Sequence, residues 1–313
     1  MQIPKATIVI VLAFFSIYVI WGSTYMLNKV AVAELPPFFL ASIRFTTAGL
    51  LIFIIAKVLG KSLAITRKQF LNTFIVGVLF LSFGNGIIVW ALKYVDSGFA
   101  ALEISAQPLV VLLLMWLLQG KRIKPMSLVG VGLGIGGIFL LVSQEQLIAK
   151  EGTVAGMIMI FACMLSWAYG SLFVGKADLP KNFFVNTGYQ MFTAGLTLAM
   201  ASLLFGEQWI APTKWSPSVQ WSMVLLILFG SIVAFTSFNY LLKKVSPDKV
   251  ATSTYVNPII ALILGWYILN EHITTQSMVA AALLLSGVYF INTTKTTITV
   301  PRFSGKIKRD HRD

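Results

Sequence analysis

Two ionisable residues stand in apolar stretches of this sequence, where a charge is costly. Glu103 lies in GFAALEISAQPLVV at residues 98–111, and Arg44 lies in ASIRFTTAGLL at residues 41–51. An ionised side chain at the centre of a lipid-buried helix costs about 2.5 to 3.5 kcal/mol on insertion scales, and it usually faces a partner or a polar pathway. We expect both residues to face a central cavity and to contact substrate or form part of a gate. The alternatives are a purely structural ion pair and a Glu103 that reaches the membrane interface.

Amide side chains accompany glycine or proline at three further positions. Asn85 lies between two glycines in FGNGIIVW, and Gln107 and Asn257 each precede a proline, Pro108 and Pro258. Proline removes one helical hydrogen bond and frees a carbonyl, which a cavity or a neighbouring helix can satisfy. We therefore expect helix breaks at both prolines and substrate or gating contacts at the three amides. Simple helix packing is the alternative interpretation.

Aromatic residues are the last group of candidate substrate contacts. Trp21 and Trp167 rank first because they correspond in an internal repeat, and Tyr255 is a third candidate. Four further aromatic residues could also line a cavity: Tyr25, Trp90, Tyr169 and Tyr240. Aromatic residues near the ends of membrane helices are commonly interfacial anchors, which is the alternative for each of them.

The composition indicates which kind of element positions these residues. The chain has 313 residues, of which 57% are hydrophobic and 11% charged, with a mean hydropathy of +0.84. Soluble domains carry roughly a quarter charged residues. The sequence therefore predicts an all-α polytopic membrane protein.

Metal and nucleotide chemistry have little support in the sequence. One cysteine, Cys163, and two histidines make a metal site of these ligands improbable and exclude an intramolecular disulfide. The stretch GVGLGIGG at residues 130–137 contains G-x-G-x-x-G, but it lies in an apolar segment with no preceding strand. No P-loop motif is present. We expect no cofactor, and we do not expect an enzyme.

The apolar segments are long enough to cross a membrane, which takes about 20 residues. Ten candidate spans can be marked, and two inverted five-helix repeats around a central cavity are the expected architecture. The candidate spans are residues 7–27, 37–57, 70–92, 98–119, 126–143, 153–173, 183–205, 219–241, 250–270 and 276–293.

The basic residues indicate the orientation of these spans. Alternating spans place 19 of the 24 lysines and arginines on the side that holds both termini, six of them in the tail at residues 295–313. The positive-inside rule therefore predicts cytoplasmic termini and an inner-membrane location. Because the charge is spread over many loops without a base-stacking aromatic array, we expect no nucleic-acid partner.

An internal repeat divides the chain into halves at residues 1–148 and 149–294. FTTAGLLIF at 45–53 returns as MFTAGLTLA at 191–199, an offset of 146, and LKYV at 92–95 returns as LKKV at 242–245, an offset of 150. Five spans per half force the second copy to enter the membrane from the opposite side. Inverted repeats recur in secondary transporters, which bind substrate between the halves.

This pattern resembles the EamA-domain family of the drug/metabolite transporter superfamily. The resemblance covers roughly residues 8–293 and is carried by these motifs: IWGSTY at 20–25, ASIRFTTAGLL at 41–51, SGFAAL with QPLVVLLL at 97–114, and YVNPIIALILGWYILNEHIT at 255–274. It implies a ten-helix bacterial exporter. In such families a glutamate often follows the fourth and ninth helices. Here Glu271 keeps it in the second half, whereas Lys121 stands at the matching position of the first.

Together these features predict a secondary transporter for small amino-acid-like or amphipathic solutes, and the family resemblance implies that it exports them. A receptor or channel, or a lipid-modifying membrane enzyme, is the alternative. A buried carboxylate can hold a proton, so Glu103 would serve proton antiport, and facilitated diffusion is equally allowed. The expected partners are a small-molecule substrate and membrane lipids. A monomer or a homodimer is possible, because Gly130 with Gly134 and Gly132 with Gly136 form faces for close helix contact.

Overall fold

All regular secondary structure in the described part of the chain is helical. The computed structural model describes residues 5–120, 123, 125–144, 150–245, 250 and 253–293, so Lys121 and the basic tail lie outside the described residues. No strand occurs within these ranges. The main helices are α1 (Thr7–Val32), α2 (Pro37–Val58), α3 (Arg67–Ala91), α4 (Ser97–Gln119), α5 (Pro125–Val142), α6 (Thr153–Val174), α7 (Phe183–Leu204), α8 (Pro217–Leu241), α9 (Ser253–Leu269) and α10 (Thr275–Thr293).

Seven of these helices, α1 to α6 and α8, are long and apolar enough to cross a membrane. Helix α9 and the apolar part of α10, Thr275–Ile291, are shorter, and α7 buries polar side chains such as Asn186 and Gln190. Each predicted span overlaps one of these helices. A multi-pass membrane protein follows, while ten crossings and an inverted arrangement stay predictions.

Three of the long helices contain a π-helical stretch. These stretches are Ser16–Ile20 in α1, Val78–Asn85 in α3 and Leu226–Val233 in α8. A π-helical turn adds a residue to the α-helical turn, which shifts backbone carbonyls out of their usual pairing and often accompanies a functional site. The candidate residue Asn85 ends the second stretch.

The two prolines behave differently. Helix α4 consists of two parts, Ser97–Ile104 and Gln107–Gln119, and Pro108 occupies the second position of the latter, where its missing N–H is harmless. Pro258, in contrast, lies inside the continuous helix Ser253–Leu269, so the expected break at Pro258 is absent. Packing of α9 against α1 and α4 accompanies this continuity, and only one backbone hydrogen bond is lost there.

Helices α2 and α7 cross at small residues that correspond in the repeat. A Cβ on Gly49 would lie 2.6 Å from the backbone nitrogen of Phe192, and a Cβ on Gly195 would lie 2.5 Å from the backbone nitrogen of Thr46. Both pairs are related by the offset of 146. The contact is therefore reciprocal, as between two similar surfaces related by a two-fold axis.

Helices α5 and α10 cross in the same reciprocal way. A Cβ on Gly130 would lie 2.6 Å from the carbonyl oxygen of Gly287, and a Cβ on Gly137 would lie 3.1 Å from the carbonyl oxygen of Ala280, and the offset of 150 relates these two contacts. A Cβ on Gly132 or Gly136, in contrast, would meet no atom of another described helix within 4 Å. The Gly130 face thus packs within the chain, and a homodimer through the Gly132 face stays a prediction.

One connection explains why the repeat offset changes. Gly60 and Gly206 both end a helix with positive φ, and Thr66 and Ser216 both cap the next helix. The segment from Gly206 to Ser216 is four residues longer than the segment from Gly60 to Thr66, which turns an offset of 146 into 150. The longer segment contains Glu207, whose contacts are described below.

Replacing Gly130 by alanine tests the α5–α10 contact. We expect Gly130→Ala to lower the apparent Tm of the purified protein in detergent, since its Cβ would collide with backbone atoms of Gly287. Gly132→Ala is the matched control, and it should keep or raise the Tm because alanine gains up to about 1 kcal/mol of helix propensity. Equal Tm values for the two variants would contradict this packing.

Candidate functional site

The side chain of Arg44 is buried in the bundle and bonded to neutral groups from three other helices. Its Nε donates to Ser231 Oγ at 2.8 Å, and its Nη1 donates to Asn28 Oδ1 and Asn85 Oδ1, both at 3.3 Å. Arg44 is 2% exposed. We name these four residues, Asn28, Arg44, Asn85 and Ser231, the arginine cluster. It joins α1, α2, α3 and α8, and therefore both halves of the chain.

The π-helical stretches of α3 and α8 supply two members of the arginine cluster, Asn85 and Ser231. Next to Ser231, Gly230 packs closely against α1, since a Cβ there would lie 2.8 Å from Cγ2 of Thr24, and 3.4 Å from Nη2 of Arg44. The Arg44 guanidinium carbon also lies 4.8 Å from the centroid of the Phe45 ring, a cation–π contact. The local backbone thus places a cation in the apolar interior.

Glu103 is buried separately from Arg44. It lies in the first part of α4 with 3% exposure, and its Oε2 has no hydrogen-bond partner among the described residues. Among the described residues, no hydrogen bond or ion pair links Glu103 to Arg44. The charges in the two apolar stretches are therefore both buried, without the direct pairing that we considered from the sequence.

The two amides that precede proline brace helices rather than the arginine cluster. Gln107 Nε2 donates to the carbonyl oxygen of Met164 at 3.1 Å. Asn257, with its amide oriented to satisfy its surroundings, donates to the carbonyl oxygens of Ile17 at 2.8 Å and Tyr18 at 2.9 Å. Those two carbonyls belong to the π-helical stretch of α1. Asn257 therefore stabilises irregular backbone in the neighbouring helix.

The two matched tryptophans each pack on a π-helical stretch of the other half. Trp21 Nε1 donates to the carbonyl oxygen of Gly230 at 3.3 Å. Trp167 stacks on Phe80 with ring centroids 4.4 Å apart and an interplanar angle of 19°, and a Cβ on Gly84 would collide with its indole. Trp21 thus lies beside the arginine cluster, and Trp167 occupies the corresponding place against α3.

The remaining aromatic candidates are spread over the bundle. Tyr255 in α9 and Tyr25 in α1 are half-buried. Trp90 packs on Phe38 and Phe205, Tyr240 packs on Phe183, and Tyr169 is 51% exposed. The ring contacts described for Trp90 and Tyr240 involve no member of the arginine cluster.

Carboxylates cap three helix N-termini at one end of the bundle. Glu207 accepts from the backbone nitrogens of Phe38 at 3.1 Å and Phe39 at 2.7 Å, at the start of α2. A carboxylate satisfies these free N–H groups and interacts favourably with the helix dipole. Because Glu207 follows α7, this contact fastens one half of the chain to the other.

Two further carboxylates cap helices at the same end. Glu271 accepts from the backbone nitrogens of Ser97 at 2.7 Å and Gly98 at 3.0 Å, at the start of α4. Glu34 accepts from the backbone nitrogen of Ser216 at 3.2 Å, at the start of α8. We call this end, with Glu34, Glu207 and Glu271, the capping end. All three contacts join the first half of the chain to the second.

Sequence reasoning missed the roles of Glu34 and Glu207 and left Glu271 without a partner. A signal was available for α2, because Pro36 and Pro37 provide no side-chain acceptor at its start. Such a helix needs an acceptor from elsewhere. The sequence did not indicate which distant carboxylate supplies it.

Cavities in the described structure also lie at the capping end. One of about 180 Å³ is lined by Phe99, Leu102, Glu271 and His272, among others, and a more open one by Glu34, Trp90 and Glu207. Within the described ranges, no group of three His, Cys, Asp or Glu residues could hold a metal ion.

Apolar helices of membrane-crossing length, with a buried polar cluster between two halves, define a polytopic membrane protein. The model of the EamA-like transporter family matches residues 8–143 and again residues 154–293, so the chain belongs to the EamA family and has two of its repeats. Several of its relatives are named as transporters.

Relatives and a solved structure cover most of the chain. It is 33% identical over 282 residues to the "Uncharacterized inner membrane transporter YedA" of Escherichia coli (strain K12), covering 89% of each chain. It is 22% identical over 285 residues to the "Uncharacterized transporter YoaV" of Bacillus subtilis (strain 168), covering 91% of this chain and 96% of that protein. A solved crystal structure, 20% identical, matches with a TM-score of 0.65 over 91% of this chain and 96% of the other, which shows a shared fold.

Removing the Asn257 amide tests its bracing role. We expect Asn257→Leu to lower the apparent Tm markedly, because two buried carbonyls lose their donor and each unsatisfied group costs about 1–3 kcal/mol. Gln107→Leu removes a single hydrogen bond, to the Met164 carbonyl, and should lower the Tm less. A larger loss in Gln107→Leu would contradict the assignment.

Proposed function

We propose that this chain is a secondary transporter that exports small amino-acid-like or amphipathic solutes across the inner membrane by alternating access. Membership of the EamA family supports transport across a membrane. The arginine cluster carries the proposal, because three members come from the first half and Ser231 from the second. A polar site between two halves of a repeat is where alternating access exposes substrate to each side in turn.

We further propose ten membrane crossings arranged as two inverted repeats with both termini in the cytoplasm. The reciprocal glycine contacts between α2 and α7, and between α5 and α10, support a two-fold relation between the halves. The excess of basic residues on the side of the termini supports the orientation. In this orientation the capping end faces outward.

The capping end then acts as the closed outer gate. Each of Glu34, Glu207 and Glu271 bonds a helix of the other half, so opening this end must break these contacts. Arg44 and Glu103, at 2% and 3% exposure, are shielded in this conformation. Substrate contact at the arginine cluster therefore requires one end of the bundle to open.

Glu103 is the proposed proton carrier, because it is a buried carboxylate with an oxygen that has no partner. In proteoliposomes we expect saturable efflux of amino acids or small drugs that a pH gradient accelerates. Glu103→Gln should lose the response to the gradient, since an amide releases no proton. Glu151→Gln, at an exposed glutamate of the capping end, is the control.

The outcomes of this experiment separate the two parts of the proposal. Absence of saturable flux for every solute tried would contradict a carrier. Saturable flux whose response to the pH gradient persists in Glu103→Gln would contradict the proton role alone.

Labelling of a cysteine near Arg44 tests the gate. Thr24 lies beside Gly230 and is 9% exposed, so Thr24→Cys in a Cys163→Ala background reports access from outside. We expect Glu207→Ala to speed its reaction with a membrane-impermeant maleimide about tenfold, if the closed state loses about 1.5 kcal/mol of charge-assisted hydrogen bonding. Glu151→Ala should leave the rate unchanged. An unchanged rate in Glu207→Ala would contradict the gate.

A further inference from the structure

We infer that the arginine cluster binds a carboxylate group of the transported solute, which makes carboxylate-bearing solutes the substrate class. This inference rests on the proposed carrier function and adds a chemical requirement to it. Three observations carry it: the lack of a counter-charge at Arg44, the unequal hydrogen bonds of its guanidinium, and the small number of cations at the site.

The first observation concerns charge. The hydrogen-bond acceptors of Arg44 are two amide oxygens and one hydroxyl, all neutral. Glu34, Glu207 and Glu271 bond to helix N-termini, and among the described residues no hydrogen bond joins Glu103 to Arg44. A buried cation without an anion retains several kcal/mol of desolvation penalty, even with neutral hydrogen bonds. An anionic ligand would remove that penalty.

The second observation concerns which edge of the guanidinium is available. The Nε bond to Ser231 is short at 2.8 Å, whereas both Nη1 bonds are 3.3 Å long, beyond the usual N–H···O distance of about 2.9–3.0 Å. Among the described residues, the hydrogen bonds of Arg44 come from Nε and Nη1 and none from Nη2, and a Cβ on Gly230 would lie 3.4 Å from Nη2. Ser231 therefore holds the Nε side, while the edge formed by Nη1 and Nη2 is weakly engaged.

That edge has the geometry for bidentate recognition. Two parallel N–H groups of a guanidinium match the two oxygens of a carboxylate, and the pair is charge-assisted. A carboxylate could displace the long bonds to Asn28 and Asn85 while Ser231 and the Phe45 ring keep the guanidinium in place. The neighbouring amides could then hydrogen-bond other polar groups of the solute.

The third observation favours a carboxylate over a phosphate. Arg44 is the sole cation of the arginine cluster, and the other members are neutral. Phosphate sites usually combine several cations or backbone N–H groups at a helix N-terminus. One guanidinium balances a single negative charge, which is the charge of a carboxylate.

Matched solutes test this inference in proteoliposomes of the full chain. The panel is phenylalanine, 3-phenylpropanoate, phenethylamine and phenylalaninol, which differ in carboxylate and amine but share a ring. We expect saturable efflux of the two carboxylates and little of the other two. Arg44→Gln should reduce carboxylate efflux about 10- to 100-fold, as expected for a lost charge-assisted hydrogen bond. Arg67→Gln, at an exposed arginine, is the control and should not change efflux.

Conservative variants separate recognition from structure. Arg44→Lys keeps the positive charge but loses the two parallel N–H groups of the guanidinium. It should therefore retain more carboxylate efflux than Arg44→Gln, and it should still transport carboxylates in preference to phenethylamine. Equal efflux of carboxylates and amines by the unsubstituted protein would overturn the inference. It would also be overturned by an Arg44→Gln variant that transports with unchanged preference.

A binding measurement distinguishes failure of the inference from failure of the proposed function. Thermal shifts of the detergent-purified protein are recorded with the same four solutes. Stabilisation by 3-phenylpropanoate and not by phenethylamine, reduced in Arg44→Lys and lost in Arg44→Gln, supports the carboxylate site even if no flux is found. Equal shifts for carboxylate and amine would overturn the site whether or not transport occurs.

Discussion

Hydrogen bonds from Arg44 to Asn28, Asn85 and Ser231 connect four helices in the apolar interior. The hydrocarbon region offers no water to a polar group, so each buried donor or acceptor there needs a partner from the protein. The same requirement explains the Asn257 amide on the irregular carbonyls of α1 and the carboxylates on three helix N-termini. Polar side chains thus determine which helices lie together, while apolar surface provides the bulk of the packing.

Small residues determine how closely the helices approach. Lipid tails are as apolar as leucine, so close van der Waals packing replaces hydrophobic burial as the force between membrane helices. Gly49 with Gly195, and Gly130 with Gly287, bring equivalent helices of the two halves into backbone contact. These contacts form a common scaffold, and the charged residues are distributed on it unequally. Arg44 corresponds to Gln190 at the offset of 146, so the second half has no equivalent guanidinium.

Much of the helix layout could be predicted from hydropathy, and less of the site. The apolar segments, the interruption before Pro108 and the burial of Arg44 and Glu103 follow from residue types along the chain. The π-helical stretches could not be predicted, because no single residue type marks an inserted turn. The partners of Arg44 and Glu207 lie 16 to 187 positions away, and a single sequence does not encode such distances in its periodicity. The continuity of α9 through Pro258 depends in the same way on neighbouring helices.

The longer connection after α7 makes the two ends of the bundle energetically unequal. Gly206 is followed by Glu207, which caps α2, whereas the corresponding Gly60 is followed by Lys61, whose charge is unsuited to a helix N-terminus. In the proposed transport cycle, the contact of Glu207 with the start of α2 favours the state in which the capping end is shut. A ligand that arrives at the capping end would then bind with an apparent Kd raised by the small fraction of molecules in which that end is open. A four-residue difference between two loops would thus give a nearly symmetric scaffold a preferred side of entry.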